Sequence, residues 1–241
     1  MATAVHDVPT VRWHRLRSAA VSNQNPPRAL VFDMDGTILD NMRFHTEAWM
    51  RTIDALGLPD RDPVEWERLT SGVPNREIFR GLLVLDLDDA GIEHWVQHKE
   101  RLYREVSIGR LVELPGFSAF LDRARALELR LGLATGAGPQ NIVFNLAALG
   151  LIDAFDTIVG AADVVRGKPD PEIFLTSADR LDVQPDEVLV FEDAPMGIES
   201  ARAAGMDVVG VATMMTLTEL VCYENVRRVI DNFEDLDPAS L

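Results

Sequence analysis

The stretch from Arg28 to Asp40 constrains this chain more than any other. It opens as a four-residue apolar run, Ala29-Leu30-Val31-Phe32, short and β-branched enough for a buried parallel strand. The run ends at two acids separated by one residue, Asp33 and Asp35, with Gly36 and Thr37 directly behind. An open α/β sheet places its chemistry at the C-terminal ends of its strands. Two carboxylates there suit a metal-assisted nucleophile beside an acid/base partner. The plainer alternative is an Asp-rich turn, since Asp and Gly are common turn residues.

Behind Asp40 the texture becomes helical. Met42, Phe44, His45, Trp49, Ile53 and Leu56 recur at helical spacing, and Gly57 with Pro59 ends the run. Asp62-Pro63 is an N-cap followed by a first-turn proline. Asn75 to Leu85 reads as another helix with Ile78, Phe79, Leu82 and Leu83 inward, and Asp88 to Val106 as a longer one. An insert of this length is expected to be a helical subdomain, residues 41–111, between core segments 28–40 and 112–241. After Leu114-Pro115-Gly116 helices and short strands alternate, the signature of a parallel sheet. Strands are expected at 129–134, 157–159, 188–191, 207–211 and 229–230. The fold class is therefore α/β: a Rossmann-like doubly wound parallel sheet with an inserted all-helical cap domain.

A net charge of −16 argues against a nucleic-acid or anionic-membrane partner, both of which attract basic surfaces. No apolar run approaches the roughly 20 residues of a membrane helix. The single cysteine, Cys222, excludes an internal disulfide and reads as a small packing residue. Residues 1–27 carry Arg12, Arg15 and Arg17 without a secretory apolar core, and read as a basic, loosely attached extension of a cytoplasmic protein.

Four polar signals follow apolar strands: Asp33 with Asp35, Thr135, Lys168 in Gly167-Lys168-Pro169-Asp170-Pro171, and Glu192-Asp193. In a parallel sheet all four lie on one rim and can converge. Their order and spacing, with the signature Phe191-Glu192-Asp193-Ala194-Pro195-Met196-Gly197-Ile198-Glu199, resemble the haloacid dehalogenase-like hydrolase superfamily, in its helical-cap subclass close to the β-phosphoglucomutase-like phosphatases. The resemblance runs from Arg28 to the C-terminus. It implies that Asp33 attacks phosphorus and forms an aspartyl-phosphate. Mg²⁺ would be held by the side chains of Asp33 and Asp193 and the backbone carbonyl of Asp35, with Glu192 either a further acid at the ion or an outer partner orienting the others. Asp35 would protonate the leaving oxygen and then take a proton from water. Thr135 and Lys168 would hold and neutralise the phosphoryl group, helped by backbone amides at Met34, Asp35 and Gly136. An acid at position 35 favours phosphoryl transfer over dehalogenation, whose halide leaves unprotonated.

In the cap, His45 resembles a histidine of β-phosphoglucomutase-like proteins, in the pattern His45-x-x-Ala48-Trp49. The loop Gly72-Val73-Pro74-Asn75-Arg76-Glu77 resembles the cap substrate loop, so either Asn75 or Arg76 would meet the far end of the substrate. One departure matters. A sugar-phosphate mutase needs a second phosphate grip, and here Ala137-Gly138-Pro139 offers few side-chain donors, leaving Gln140 and Asn141. The expectation is a monomeric, Mg²⁺-dependent phosphatase for a small phosphorylated metabolite, a sugar phosphate. The alternatives are a β-phosphoglucomutase-type mutase, an inorganic pyrophosphatase and a non-catalytic phosphate-binding regulator.

Overall fold

The computed structural model describes residues 26–70, 72–83 and 85–241. The expected N-terminal extension lies outside the described residues except for its last two positions. Six strands, β1 (Ala29–Phe32), β2 (Arg130–Ala134), β3 (Thr157–Val159), β4 (Val188–Glu192), β5 (Asp207–Val211) and β6 (Val226–Ile230), form one parallel sheet in the order β3-β2-β1-β4-β5-β6. The order reverses direction at β1, and that reversal opens a crevice at the strand C-termini. β1 is central, paired with β2 and β4 in matching register, Phe32 opposite both Leu133 and Phe191. This register sets Asp33, Thr135 and Glu192 at neighbouring strand ends.

Both faces of the sheet are covered, which is why β1 reads as a continuous apolar run. Leu30 and Phe32 pack beneath helices α5 (Phe117–Ala126) and α6 (Pro139–Leu149), while Ala29 and Val31 pack beneath α7 (Glu172–Leu181) and α8 (Pro195–Ala203). Phe32 is ringed by Phe117, Phe120, Phe191 and Phe233, with ring centroids 4.6 to 6.3 Å away. Removing one such ring typically costs about 3–5 kcal/mol, so the strand that carries Asp33 is firmly anchored.

The cap comprises α1 (Met42–Ala55), α2 (Pro63–Thr70), the short α3 (Asn75–Glu77) and α4 (Asp89–Ser107). Asp62 caps α2 by accepting from Glu65 N–H at 2.9 Å, and Asp88 caps α4 by accepting from Gly91 N–H at 2.8 Å. Trp49, Ile53, Trp66, Ile78, Phe79, Leu83 and Ile92 form a separate apolar cluster inside the cap. The two strands of the hinge pair with each other: Leu39 bridges Glu113, and Leu114 N–H donates to Ile38 C=O at 2.9 Å. Phe44, Ala48, Tyr103 and Val106 seat the cap against Phe144 of α6.

Three local expectations are corrected. The helix foreseen from Asn75 to Leu85 is one short α segment followed by a π-helical turn, Ile78–Leu82, with Leu83 N–H donating to Ile78 C=O at 3.1 Å. The wider turn brings Leu83 inward with Ile78 and Phe79 and turns Leu82 out. The last strand starts at Val226, three residues before the expected Val229-Ile230, because Val226 already pairs with Val208 ahead of a bulge at Val208/Val209. Cys222 is exposed: Thr216 caps α9 (Leu217–Leu220), which buries Leu220 and leaves Cys222 outside. Among the described residues no helix is long and apolar enough to cross a membrane.

Candidate active site

Asp33 leaves β1 at the crevice, its N–H held by Phe191 C=O at 3.0 Å. Lys168 reaches it from the loop between β3 and α7. That loop is braced by Glu172, which accepts from the amides of Val165 and Arg166 at 2.8 and 3.1 Å, and by Ser200, whose hydroxyl donates to Asp170 C=O at 2.7 Å; the Lys168–Pro169 bond is cis. Lys168 Nζ donates to Asp33 Oδ1 and Glu192 Oε1, both at 2.6 Å, and to Ala134 C=O at 3.1 Å. Desolvation alone would pull this buried ammonium down, but Asp33 and Glu192 push it above the usual lysine range.

Glu192 ends β4 with both oxygens engaged: Oε1 by Lys168, Oε2 by the amides of Asp193 and Ala194 at 2.9 and 3.0 Å. Its carboxylate fills the space a side chain at Gly197 would need. Glu192 thus ties Lys168 to the start of α8. Asp193 instead faces the loop after β1. It accepts from Thr37 and Thr213 hydroxyls at 3.4 and 3.2 Å, and its carboxylate occupies the position of a Cβ at Gly36, whose φ is +81°. Gly36 is required twice over, for its left-handed backbone and for the approach of Asp193.

Asp33 and Asp193 are buried acids of like charge. Burial raises the Asp33 carboxyl to about 7, with Lys168 opposing and Glu192 and Asp35 reinforcing the rise. Burial, Glu192 and Asp33 raise Asp193 well above its ordinary value. One lysine does not neutralise this set, and a divalent oxygen-seeking cation fits it. Among the described residues no three His, Cys, Asp or Glu side chains form a ready-made metal cage. Asp33 and Asp193 are the carboxylates such a cation would take, and Mg²⁺ completes a set of this kind with backbone oxygens and retained waters.

Thr135 is buried, and its hydroxyl accepts from Ala137 N–H at 3.1 Å, leaving the hydroxyl proton for another acceptor. Among the described residues the amides of Met34, Asp35 and Gly136 donate to no backbone carbonyl. Hydroxyl, ammonium and these amides are the donors a phosphoryl group requires.

Asp35 points toward the cap. Its Oδ1 accepts from Asn41 Nδ2 at 2.5 Å and Asn145 Nδ2 at 3.3 Å, and His45 Nε2 lies 3.6 Å away. Burial would raise this carboxyl, but His45 and Asn41 together hold it below the usual carboxylate value. Tyr103 stacks on His45 at 4.0 Å, accepts from Asn41 at 2.7 Å and donates to Asn145 at 2.9 Å. His45 Nδ1 takes a hydrogen bond from Lys99 Nζ at 2.8 Å. That assigns the ring's proton to Nε2, facing Asp35. His45 Nε2 and Asn41 Oδ1 are buried with no hydrogen-bond partner among the described residues, two polar atoms waiting beside the acid/base candidate.

Gly72 lies against Ala194 and Met196 of the core, so the cap loop closes onto the rim. Of the two residues left open in this loop, Asn75 turns inward to Glu100 Oε1 at 2.5 Å, whereas Arg76 pairs with Glu93 at the surface. Sequence reasoning missed Asn41, Thr37, Lys99, Glu100, Asn145 and Thr213. Lys99 and Tyr103 sit four apart on one face of α4, the one signal that pointed to them.

The pattern of the haloacid dehalogenase-like hydrolase family matches residues 27–205. The chain belongs to this family. It is 35% identical over 184 residues to the fructose-1-phosphate phosphatase YqaB of Escherichia coli, spanning 76% of this chain and 95% of that one. It is 34% identical over 193 residues to β-phosphoglucomutase of Bacillus subtilis, spanning 76% and 83%. The solved β-phosphoglucomutase of Clostridium difficile superposes with a TM-score of 0.73 at 27% identity, covering 87% of this chain and 93% of that one. The expected family, the Rossmann-like fold and the hydrolase class all stand. The family's phosphatase-named members act on phosphate esters, and this chain is a hydrolase of that kind.

Proposed function

We propose that this protein is a Mg²⁺-dependent phosphatase that hydrolyses a small phosphorylated metabolite, a sugar phosphate, through an aspartyl-phosphate on Asp33. The observation that carries this reading is the Lys168 ammonium clamped at 2.6 Å between Asp33 and Glu192, with Asp193 following Glu192 and Asp35 two residues beyond Asp33. A binder that only held phosphate would have no use for a buried nucleophile with a separate proton carrier.

Mg²⁺, on Asp33, Asp193 and the Asp35 carbonyl, would supply the positive charge that lets a carboxylate approach a phosphate dianion. An Asp33 oxygen forms a bond to phosphorus as the bond to the leaving oxygen breaks, and Asp35 gives that oxygen its proton. Asp35, ionised in the free site, takes up one proton from solvent as the phosphate dianion arrives and raises its proton affinity, and it returns that proton to solvent after turnover. Asp35 then takes a proton from water as the water oxygen attacks phosphorus, releasing inorganic phosphate and restoring Asp33. Lys168, Thr135 and the free amides hold the phosphoryl oxygens throughout. Cap closure keeps stray water away from the first step.

The mutase alternative is disfavoured because Asn141, one of the two side chains that could grip a second phosphate, is already engaged on both of its amide atoms. Asn141 donates to Glu100 and accepts from Arg104, and Gln140 accepts from Arg104 at 3.1 Å. The site is complete within one chain, so a monomer suffices. The test is phosphate release from p-nitrophenyl phosphate and a panel of sugar phosphates, with Mg²⁺ and with chelator. Release with Mg²⁺ alone is expected. No release from any ester, or release unaffected by chelation, would overturn the reading.

A further inference from the structure

On the cap side of the catalytic acids lies a half-buried carboxylate that the reaction above does not use. Glu100 projects from α4 into the seam between cap and core. Its Oε1 takes hydrogen bonds from Lys99 Nζ at 3.0 Å and Asn75 Nδ2 at 2.5 Å, and its Oε2 takes one from Asn141 Nδ2 of the core. Burial opposes its charge, but Lys99, His45 and Asn141 outweigh burial and bring its carboxyl down to about 2, so it is an anion at any physiological pH. Its charge reaches Asp35 and Tyr103. Glu100 is linked to Asp35 through Lys99 and His45, which places it on the cap side of the acid that must give the leaving group its proton.

We infer that Glu100 determines substrate choice: its carboxylate accepts hydroxyl groups of a polyol leaving group and repels a second phosphate, so the enzyme selects sugar monophosphates over bisphosphates. This rests on the phosphatase reading. An ionised carboxylate is acceptor-only, which matches hydroxyl donors and mismatches a phosphate dianion. The neighbouring cations are already engaged. Lys99 is almost fully buried between His45 and Glu100, and Arg76 is paired with Glu93. Arg104, one turn beyond Glu100, is turned to the amide oxygens of Asn141 and Gln140. Of those two amides, Asn141 ties Glu100 to Arg104, and Gln140 presents its oxygen to Arg104.

The experiment uses the full chain with Mg²⁺ and compares fructose 1-phosphate with fructose 1,6-bisphosphate, which differ by one phosphate. Wild type is expected to favour the monophosphate at least tenfold in kcat/KM. Glu100→Gln is expected to shrink that ratio severalfold or more, and Glu100→Asp, which keeps the charge, to restore it. Both rates are free to move, since the ratio carries the test. Should the Gln variant fail to fold, competition against p-nitrophenyl phosphate in wild type decides, with the bisphosphate expected to inhibit at least tenfold more weakly than the monophosphate. An unchanged ratio in Glu100→Gln, or equal inhibition by the two sugars, overturns the inference and leaves the phosphatase standing. A wild-type preference for the bisphosphate overturns it too and makes Arg104 a phosphate grip. No release from p-nitrophenyl phosphate overturns the phosphatase reading itself.

Discussion

At the sheet rim, Lys168 joins two carboxylates delivered by different strands. Across the cleft, Lys99 joins an imidazole from α1 and the carboxylate next to it on α4. The first cluster is held by backbone: parallel strands in fixed register, glycines at Gly36 and Gly197, and an aromatic core beneath. The second is held by side chains alone, on helices joined to the core by a paired hinge. Chemistry that tolerates little displacement sits on the rigid half, and choice of substrate sits on the half that can move and diverge.

That contrast can be broken in order of severity. Asp33→Asn removes the nucleophile and should lower phosphate release by at least ~10³-fold. Asp35→Asn leaves the site folded but without its proton carrier, with an expected loss of about 10²–10⁴ in kcat. Gly36→Ala drives a methyl into the Asp193 carboxylate and strains a backbone at φ +81°, so a loss of roughly 10² is expected without any change to a catalytic group. In the cap, Lys99→Met frees the His45 tautomer and leaves Glu100 uncompensated. It should cost about tenfold in kcat/KM for a sugar phosphate and about 2 kcal/mol in a urea melt, discounted because Glu100 is partly exposed. A rim-sized effect from Lys99→Met would erase the distinction between the two halves.

The smallest effect is a pH dependence. The Glu100 carboxyl is lowered from 4.5 to about 2 on folding. Its contribution to stability is full above pH 4.5 and is lost as the pH falls toward 2. Urea melts across that window should show a shallower slope for Glu100→Gln than for wild type.

The rim was legible in the sequence because its residues follow apolar strands, where chain direction and parallel pairing leave one possible meeting place. Asp33, Lys168, Glu192 and Asp193 needed no knowledge of packing to be placed together. The cap network was not legible. Lys99 reads as a solvated helix lysine until the stacking of α1 on α4 buries it, and Asn145 reads as a polar residue in an apolar helix until Asp35 and Tyr103 meet it. That Asn75 turns to Glu100 while Arg76 turns to the surface depends on the phase of a three-residue helix, which the π-helical turn behind it hid. Glu192 was read with two roles open because a carboxylate's partners are invisible in a sequence; in the fold they are a lysine and two amides.

The most direct measurement is a rapid acid quench during turnover of p-nitrophenyl phosphate with Mg²⁺, followed by borohydride reduction and peptide mass spectrometry. An acyl-phosphate on Asp33 is reduced to homoserine at that position. Homoserine at position 33, and at none of the other acids, is the predicted result. Sustained turnover that leaves Asp33 unmodified while the trap captures another residue, or none, would contradict the account.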